Sequence, residues 1–321
     1  MSTAATTHFV GRGFELSVLG AALDELDGRR AKAIEVVGAA GIGKTRLLAE
    51  LAARADGRGY IVLGGAGADL ERDLPFWVFV DALDEYLAGV EPRRLANLEE
   101  HVRVELAQVF PSLSELRRGG SPGAVHERYR TNRAVRELLE RLAATKPLVL
   151  ILDDFHWADP ASVDLAASLL HRPAAAGVLI VLASRPNHPS PRLHKATEQA
   201  LHAGQLTRIE LDPLTGEEAA AMLGREPSDA TAAVLYEESG GNPFYLEQLA
   251  RVVNGAAPIG PGSDVSVSEL KVPVRVVTAL SDELALLSPD SRRPVRARAS
   301  RDRVRRRRAG GDGGHRRAAH G

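Results

Sequence analysis

The stretch GAAGIGKT, residues 38–45, decides how the rest of the chain is read. It matches G-x-x-x-x-G-K-[ST], with Gly38, Gly43, Lys44 and Thr45 at the fixed positions. The spacing has a physical purpose. The glycines let the backbone turn so that successive N–H groups face phosphate oxygens, and a helix beginning inside the motif adds the positive end of its dipole. In such a loop Lys44 reaches the β- and γ-phosphates and the Thr45 hydroxyl binds Mg²⁺. The candidate nucleotide contacts are therefore Gly38, Ala39, Ala40, Gly41, Ile42, Gly43, Lys44, Thr45 and Arg46.

The flanks suit this reading. AIEVV (33–37) is short and β-branched and reads as a buried strand, while KTRLLAELAARA (44–55) reads as a helix. Upstream, Leu16, Leu19, Leu23 and Leu26 form one apolar helix face that Gly28 ends. Downstream, YIVLGG (60–65), PLVLILDD (147–154), GVLIVLAS (177–184) and the weaker LTRIEL (206–211) read as strands, and helices are expected over 76–88, 95–109 and 125–144. Asp159-Pro160 reads as a cap and first-turn proline opening a helix to about His171. PLVLILDD shows no polar alternation, as expected when helices cover both sheet faces. Strand and helix alternate from 33 to 211, which predicts an α/β, doubly wound parallel sheet. EEAAAMLG, TAAVLYEES and PFYLEQLARVV then read as helices with no strand between them. The expected organisation is an α/β domain over 1–211, a small helical lid over 212–254, a linker over 255–271, and further segments at 272–290 and 291–321.

A phosphate loop needs a metal ligand and a group that handles water. Asp153 and Asp154 end the most apolar strand candidate, and open α/β sheets bind ligands at the carboxyl ends of their strands. Asp153 is the candidate to hold Mg²⁺ together with Thr45, and Asp154 to orient or deprotonate a water.

Composition narrows the remaining classes. The chain has 321 residues and no cysteine, which excludes disulfides and thiolate metal sites. No apolar stretch reaches the roughly 18 residues of a membrane span, and MSTAATTHFVGR has no charged-then-apolar leader pattern, so a cytoplasmic location is expected. The net charge of −1 hides an imbalance: residues 291–321 carry twelve arginines and two aspartates, for +10, against −11 over residues 1–290.

FVGR (9–12), GAAGIGKT (38–45), LVLILDDFHWAD (148–159), LASRP (182–186) and GGNPFYLEQL (240–249) occur in this order. Together they resemble the ATPase module of the STAND class of AAA-related P-loop proteins. More narrowly, they resemble the N-terminal part of the large ATP-binding LuxR-type (LAL) transcription regulators, over roughly residues 8–290. The resemblance implies that Val10, Gly11 and Arg12 lie by the adenine, that Arg185 senses the γ-phosphate, and that Pro243 of the lid packs on the base. It gives no role to His156 or Trp157. Many relatives carry a glutamate where this chain has Asp154, and the shorter side chain implies slow hydrolysis. The implied ligands are ATP, ADP and Mg²⁺, and the implied role is a switch, with self-association as a further property. Arg128, Arg130, Arg133 and Arg136 are all available as an arginine finger, with nothing in the sequence to rank them.

Residues 292–321 contain no Leu, Ile, Phe, Met, Tyr or Trp and cannot build a core. They follow LALLSPDSRR, which resembles a helix entering a winged-helix domain. The abrupt change to Arg, Ala and Gly is what out-of-frame reading of GC-rich DNA produces, so a truncated regulator is expected, with DNA contacted through a missing C-terminal part. Two other functions fit the residues: a nucleic-acid-dependent ATPase gripping phosphate backbones with the basic tail, or a nucleotide-binding scaffold that does not hydrolyse.

Overall fold

The apolar runs lie side by side. β3 (Leu148–Asp153) pairs in parallel with β4 (Val178–Ser184), and β4 with β1 (Lys32–Gly38). β2 (Ile61–Ala66) forms one edge beside β3, and β5 (Leu206–Leu211) the other beside β1, giving the all-parallel order β2-β3-β4-β1-β5. The computed structural model describes residues 9–255, apart from 91–94, 96–97, 117–125, 176 and 187–189. Most of the expected linker and both later segments lie outside the described residues.

β4 shows why the central strands carry no alternation. Val178, Ile180 and Leu182 enter the core on one face, and Leu179, Val181 and Ala183 enter the core on the other. The second face is covered by α1 (Gly13–Asp27) and α2 (Lys44–Gly57) through Leu19, Leu23, Leu26, Leu47 and Leu51. The first is covered by α3 (Trp77–Ala88), α4 (Glu100–Val109), α5 (His126–Leu142), α6 (Pro160–His171) and α7 (Pro191–His202), through residues such as Phe79, Leu106, Leu138, Leu165 and Leu193. The fold is therefore the α/β doubly wound parallel sheet.

α7 is an element that the hydrophobic pattern does not reveal, since it buries only Leu193, Thr197 and Ala200. Its start signal is nonetheless in the sequence: Ser190 accepts from the Leu193 N–H at 3.3 Å, and Pro191 occupies the first turn. After β5 come α8 (Gly216–Met222), α9 (Ala230–Ser239) and α10 (Pro243–Gly255), with no strand among the described residues. Thr215 and Glu218 close a capping box on α8. Contacts divide the chain into two units, Met1–Leu246 and Glu247–Gly321. In the described part of the second, Arg251 pairs with Glu247 at 2.6 Å. No helix among the described residues is long and apolar enough to cross a membrane.

Asp159 ties two helices to one point. It caps α6 by accepting from the Ala161 and Ser162 N–H groups, each at 2.9 Å. The same carboxylate accepts from Phe76 N–H at 3.0 Å and Trp77 N–H at 3.2 Å at the start of α3, and from the Ser162 hydroxyl. It is only 2% exposed, so removing it strands buried donors. Asp159→Ala is expected to cost about 2–4 kcal/mol of unfolding free energy, measured by urea titration, with Asp159→Asn losing less.

Candidate functional site

The parallel register brings three strand ends to one place. Val37 pairs with Ser184 and Leu152 with Leu182, so the loop after β1, the residues after β4 and the end of β3 converge. Thr45 Oγ1 donates to Asp153 Oδ2 at 2.6 Å, and Asp153 Oδ1 accepts from the Asp154 N–H at 2.7 Å. Lys44 is buried, and its Nζ donates to the carbonyls of Gly38 at 2.9 Å and Ala39 at 3.0 Å. Gly41 and Gly43 take φ of +73° and +102°, conformations that favour glycine. The N–H groups of Ala40, Gly41 and Gly43 have no acceptor among the described residues. Ile42 anchors the loop from below: it is 2% exposed, and a Cβ on Gly38 would lie 2.7 Å from its Cγ2. Arg46 is exposed on the first turn of α2.

Asp154 sits in the left-handed region at φ +43° and leads into a short 3₁₀ turn, Phe155–Trp157. Its carboxyl is pushed above the ordinary carboxylate range, first by burial and then by the neighbouring Asp153 charge, while Lys44 and Arg185 pull the other way. Arg185 follows β4, and its buried NH1 has no hydrogen-bond partner among the described residues. The Arg185 guanidinium lies 6.0 Å from the centre of the Trp157 ring, and Arg72 lies 4.9 Å from it. His156 is buried beside the same ring, with its Nδ1 3.7 Å from Asp154 Oδ1. The two residues without a role in the sequence reading thus border the site, Trp157 beneath Arg185 and His156 beside Asp154.

The N-terminal segment and the last helices meet the same loop. Gly11 and Arg12 have φ of +74° and +62°, and Val10 is half-buried. The buried Arg12 donates through NH2 to the Ile42 carbonyl at 3.1 Å and through NH1 to Glu15 at 3.2 Å. Glu218 crowds Gly11, where a Cβ would lie 2.4 Å from its Oε1. The Glu218 carboxyl is held below its ordinary range, chiefly by the Thr215 backbone, with a smaller contribution from Arg12. Pro243 is the first residue of α10. Beside it, Asn242 Nδ2 donates to the Ala40 carbonyl at 2.9 Å, and the Phe244 N–H to the Gly41 carbonyl at 3.2 Å. Sequence reasoning missed Glu218, Asn242 and Phe244. The capping-box spacing and the Asn-Pro pair mark their local geometry, but not the loop they would meet.

A cleft of about 720 Å³ opens beside the loop, lined by residues including Gly38, Arg185, Thr197 and Asp212. In its wall Arg208 joins Glu35 at 2.7 Å and Glu198 at 2.8 Å. Among the arginine-finger candidates, Arg133 and Arg136 face glutamates one turn on, Glu137 at 2.7 Å and Glu140 at 3.9 Å. Arg130 is exposed, and the Arg128 side chain lies outside the described residues.

A profile described as an AAA ATPase domain matches residues 8–181. An uncharacterised protein of Rhizobium meliloti (strain 1021) is 28% identical over 269 residues, covering 76% of this chain and 25% of that protein. The chain thus spans about a quarter of the length of this curated relative. Similar solved structures include the ORC2 protein of Aeropyrum pernix in ADPNP and ADP complexes, at 16% identity, 88% and 72% coverage of this chain and that one, and a TM-score of 0.47. They also include Cdc6p of Pyrobaculum aerophilum, at 14%, 78% and 64%, with a TM-score of 0.47. AMPPCP-bound DnaA of Aquifex aeolicus is similar at 16%, 79% and 64%, with a TM-score of 0.42.

The raised proton affinity of Asp154 has a consequence for stability. Where the folded state holds a proton that the unfolded state has released, stability falls as pH rises through that window. Asp154→Asn removes this loss. Its thermal midpoint is expected to exceed that of the unsubstituted chain at pH 7, with the gap closing at about pH 3, where the carboxyl is protonated in both states. Equal midpoints at both pH values would count against the strained carboxylate.

Proposed function

The chain belongs to the AAA ATPase domain family, and we propose that it binds ATP with Mg²⁺ and uses it as a conformational switch. The observation that carries this reading is the 2.6 Å hydrogen bond from Thr45 to Asp153, formed at the mouth of a loop in which the Ala40, Gly41 and Gly43 N–H groups have no acceptor among the described residues. A metal fits the donors present. Mg²⁺ prefers oxygen ligands and keeps several waters, so it needs only one or two from the protein. Thr45 Oγ1 and Asp153 Oδ2 supply those two, and no group of three or more His, Asp or Glu residues is placed to hold a metal among the described residues. Bound there, the ion would neutralise charge on the phosphate oxygens.

The other roles follow from position. Gly38 to Arg46 cradle the phosphates, and Lys44 exchanges its two carbonyl partners for phosphate oxygens. Arg185 reads the third phosphate, with its guanidinium already beside Asp154. Asp154 orients or deprotonates the attacking water, and its raised proton affinity suits a base. Val10, Gly11, Arg12 and Pro243 border the base. The helices after β5 act as the lid of a domain over 1–211. Because the side chain of Asp154 is short and its backbone is constrained, hydrolysis is slow. The same observation favours the scaffold as the second reading, in which nucleotide is held without turnover.

More narrowly, we place the chain in the STAND/LAL group, on the strength of its HWAD (156–159) and GNPF (241–244) segments. In this proposal it is the cytoplasmic ATPase module of a transcription regulator. DNA is then contacted by a part of the regulator other than the described residues. Translating the same DNA in its other frames tests this: a helix-turn-helix downstream supports it, and its absence there counts against it.

Titration with fluorescent ATP and Mg²⁺ tests the central reading. Lys44→Ala is expected to weaken binding at least a hundredfold, while Arg185→Ala weakens ATP about tenfold and leaves ADP unchanged. Asp154→Asn should keep binding and lower turnover at least tenfold; unchanged turnover selects the scaffold. Failure of the folded chain to bind either nucleotide would overturn the proposal.

A further inference from the structure

The segment Gly240–Phe244 meets the phosphate loop on its carbonyl side. Asn242 is buried, donates through Nδ2 to Ala40 O at 2.9 Å, and accepts the Phe244 N–H at Oδ1 at 3.0 Å. The same Phe244 N–H lies 3.2 Å from Gly41 O. The fit is close: a Cβ on Gly41 would stand 2.7 Å from Phe244 Cβ and 3.0 Å from Asn242 Oδ1. The segment is also held from its other side. Leu214 N–H donates to Gly241 O at 2.8 Å, and a Cβ on Gly241 would stand 2.4 Å from Leu214 O.

The Ala40 carbonyl and the Gly41 N–H are opposite ends of one planar trans peptide. Fixing the carbonyl toward Asn242 therefore aims the N–H away from the lid, toward the side where an anion would lie. We propose that Asn242 is a positioning residue that couples the lid to the phosphate loop by setting this peptide. This deepens the ATP-binding reading and rests on it. The contact carries no net charge. The one basic residue between 212 and 246, Arg225, is paired with Asp229 at 3.0 Å. The lid thus senses whether the loop is ordered, which ADP and ATP both require, and leaves the third phosphate to Arg185.

The test uses the full chain carrying Asn242→Asp, with Asn242→Ser as a second variant. Both keep an oxygen to cap α10; the ionised carboxylate has no donor, and the serine hydroxyl is shorter than the amide that reaches Ala40 O. Far-UV circular dichroism and the unfolding midpoint establish that each is folded. Hydrogen exchange without nucleotide is expected to quicken in 38–46 and 236–246 together and stay unchanged in 148–153. Fluorescent ATP and ADP, each with Mg²⁺, should both bind roughly threefold to tenfold more weakly, with their affinity ratio kept within about twofold. Unchanged exchange and affinities in a folded variant, or a loss confined to ATP, would overturn the proposal. If the unsubstituted chain binds neither nucleotide, the ATP reading fails, and the exchange measurement alone still decides whether Asn242 couples lid and loop.

Discussion

A single hydrogen bond, from Thr45 to Asp153 across 2.6 Å, joins residues 108 positions apart and depends on the whole sheet. It can form only if β1, β4 and β3 are parallel, adjacent and in register. A sheet covered on both faces leaves its strands almost no room for polar side chains, so the chemistry is displaced to the strand ends. β3 obeys this closely: Leu148 to Leu152 are buried, and the first polar residue is Asp153. At the same level α2 begins, and its first-turn N–H groups lack intrahelical acceptors. Strand end and helix start therefore coincide for one reason, the need to keep the layer between them apolar.

Four charged groups gather at that level. Lys44 donates to the carbonyls of Gly38 and Ala39, its charge and that of Arg185 act on Asp154, and a buried nitrogen of Arg185 has no hydrogen-bond partner among the described residues. A cation held by carbonyls can exchange them for an anion at little cost, because charge-assisted bonds are roughly twice as strong as neutral ones. Asp154 pays the opposite penalty, since burial and Asp153 both resist its ionisation. Negative charge is favoured beside Lys44 and Arg185, and positive charge beside Thr45 and Asp153. A magnesium–triphosphate complex has this polarity.

The sheet was legible because its signals are local. The five strands lie within a residue or two of where the apolar runs place them, and the phosphate loop is set by spacing alone. α7 was not seen, because it packs through a narrow stripe of one leucine, one threonine and one alanine, and its start rests on Ser190 and Pro191. The contacts of Asn242 and Glu218 were beyond reach for a different reason. Each satisfies a local cap that any helix start would want, and the second partner, more than 200 residues away, is chosen by the fold. Glu35 and Arg208 show the same limit. A charged residue inside a buried strand reads as an anomaly until β5 brings its counterion alongside β1 at 2.7 Å.

The two proposed ways of sensing a ligand differ in their physics. A guanidinium acts through charge, so it distinguishes ligands that differ by a phosphate. A carboxamide on a backbone carbonyl acts through geometry, so it distinguishes an ordered loop from a disordered one. Each such neutral bond contributes only about 1 kcal/mol. Its leverage comes from rigidity: a planar peptide cannot turn one end without the other, and at Gly41 there is no space for the loop to yield toward Phe244. On the proposed reading, the segment Gly240–Phe244, attached this way, moves with the loop, and the order of a few loop amides bears directly on it.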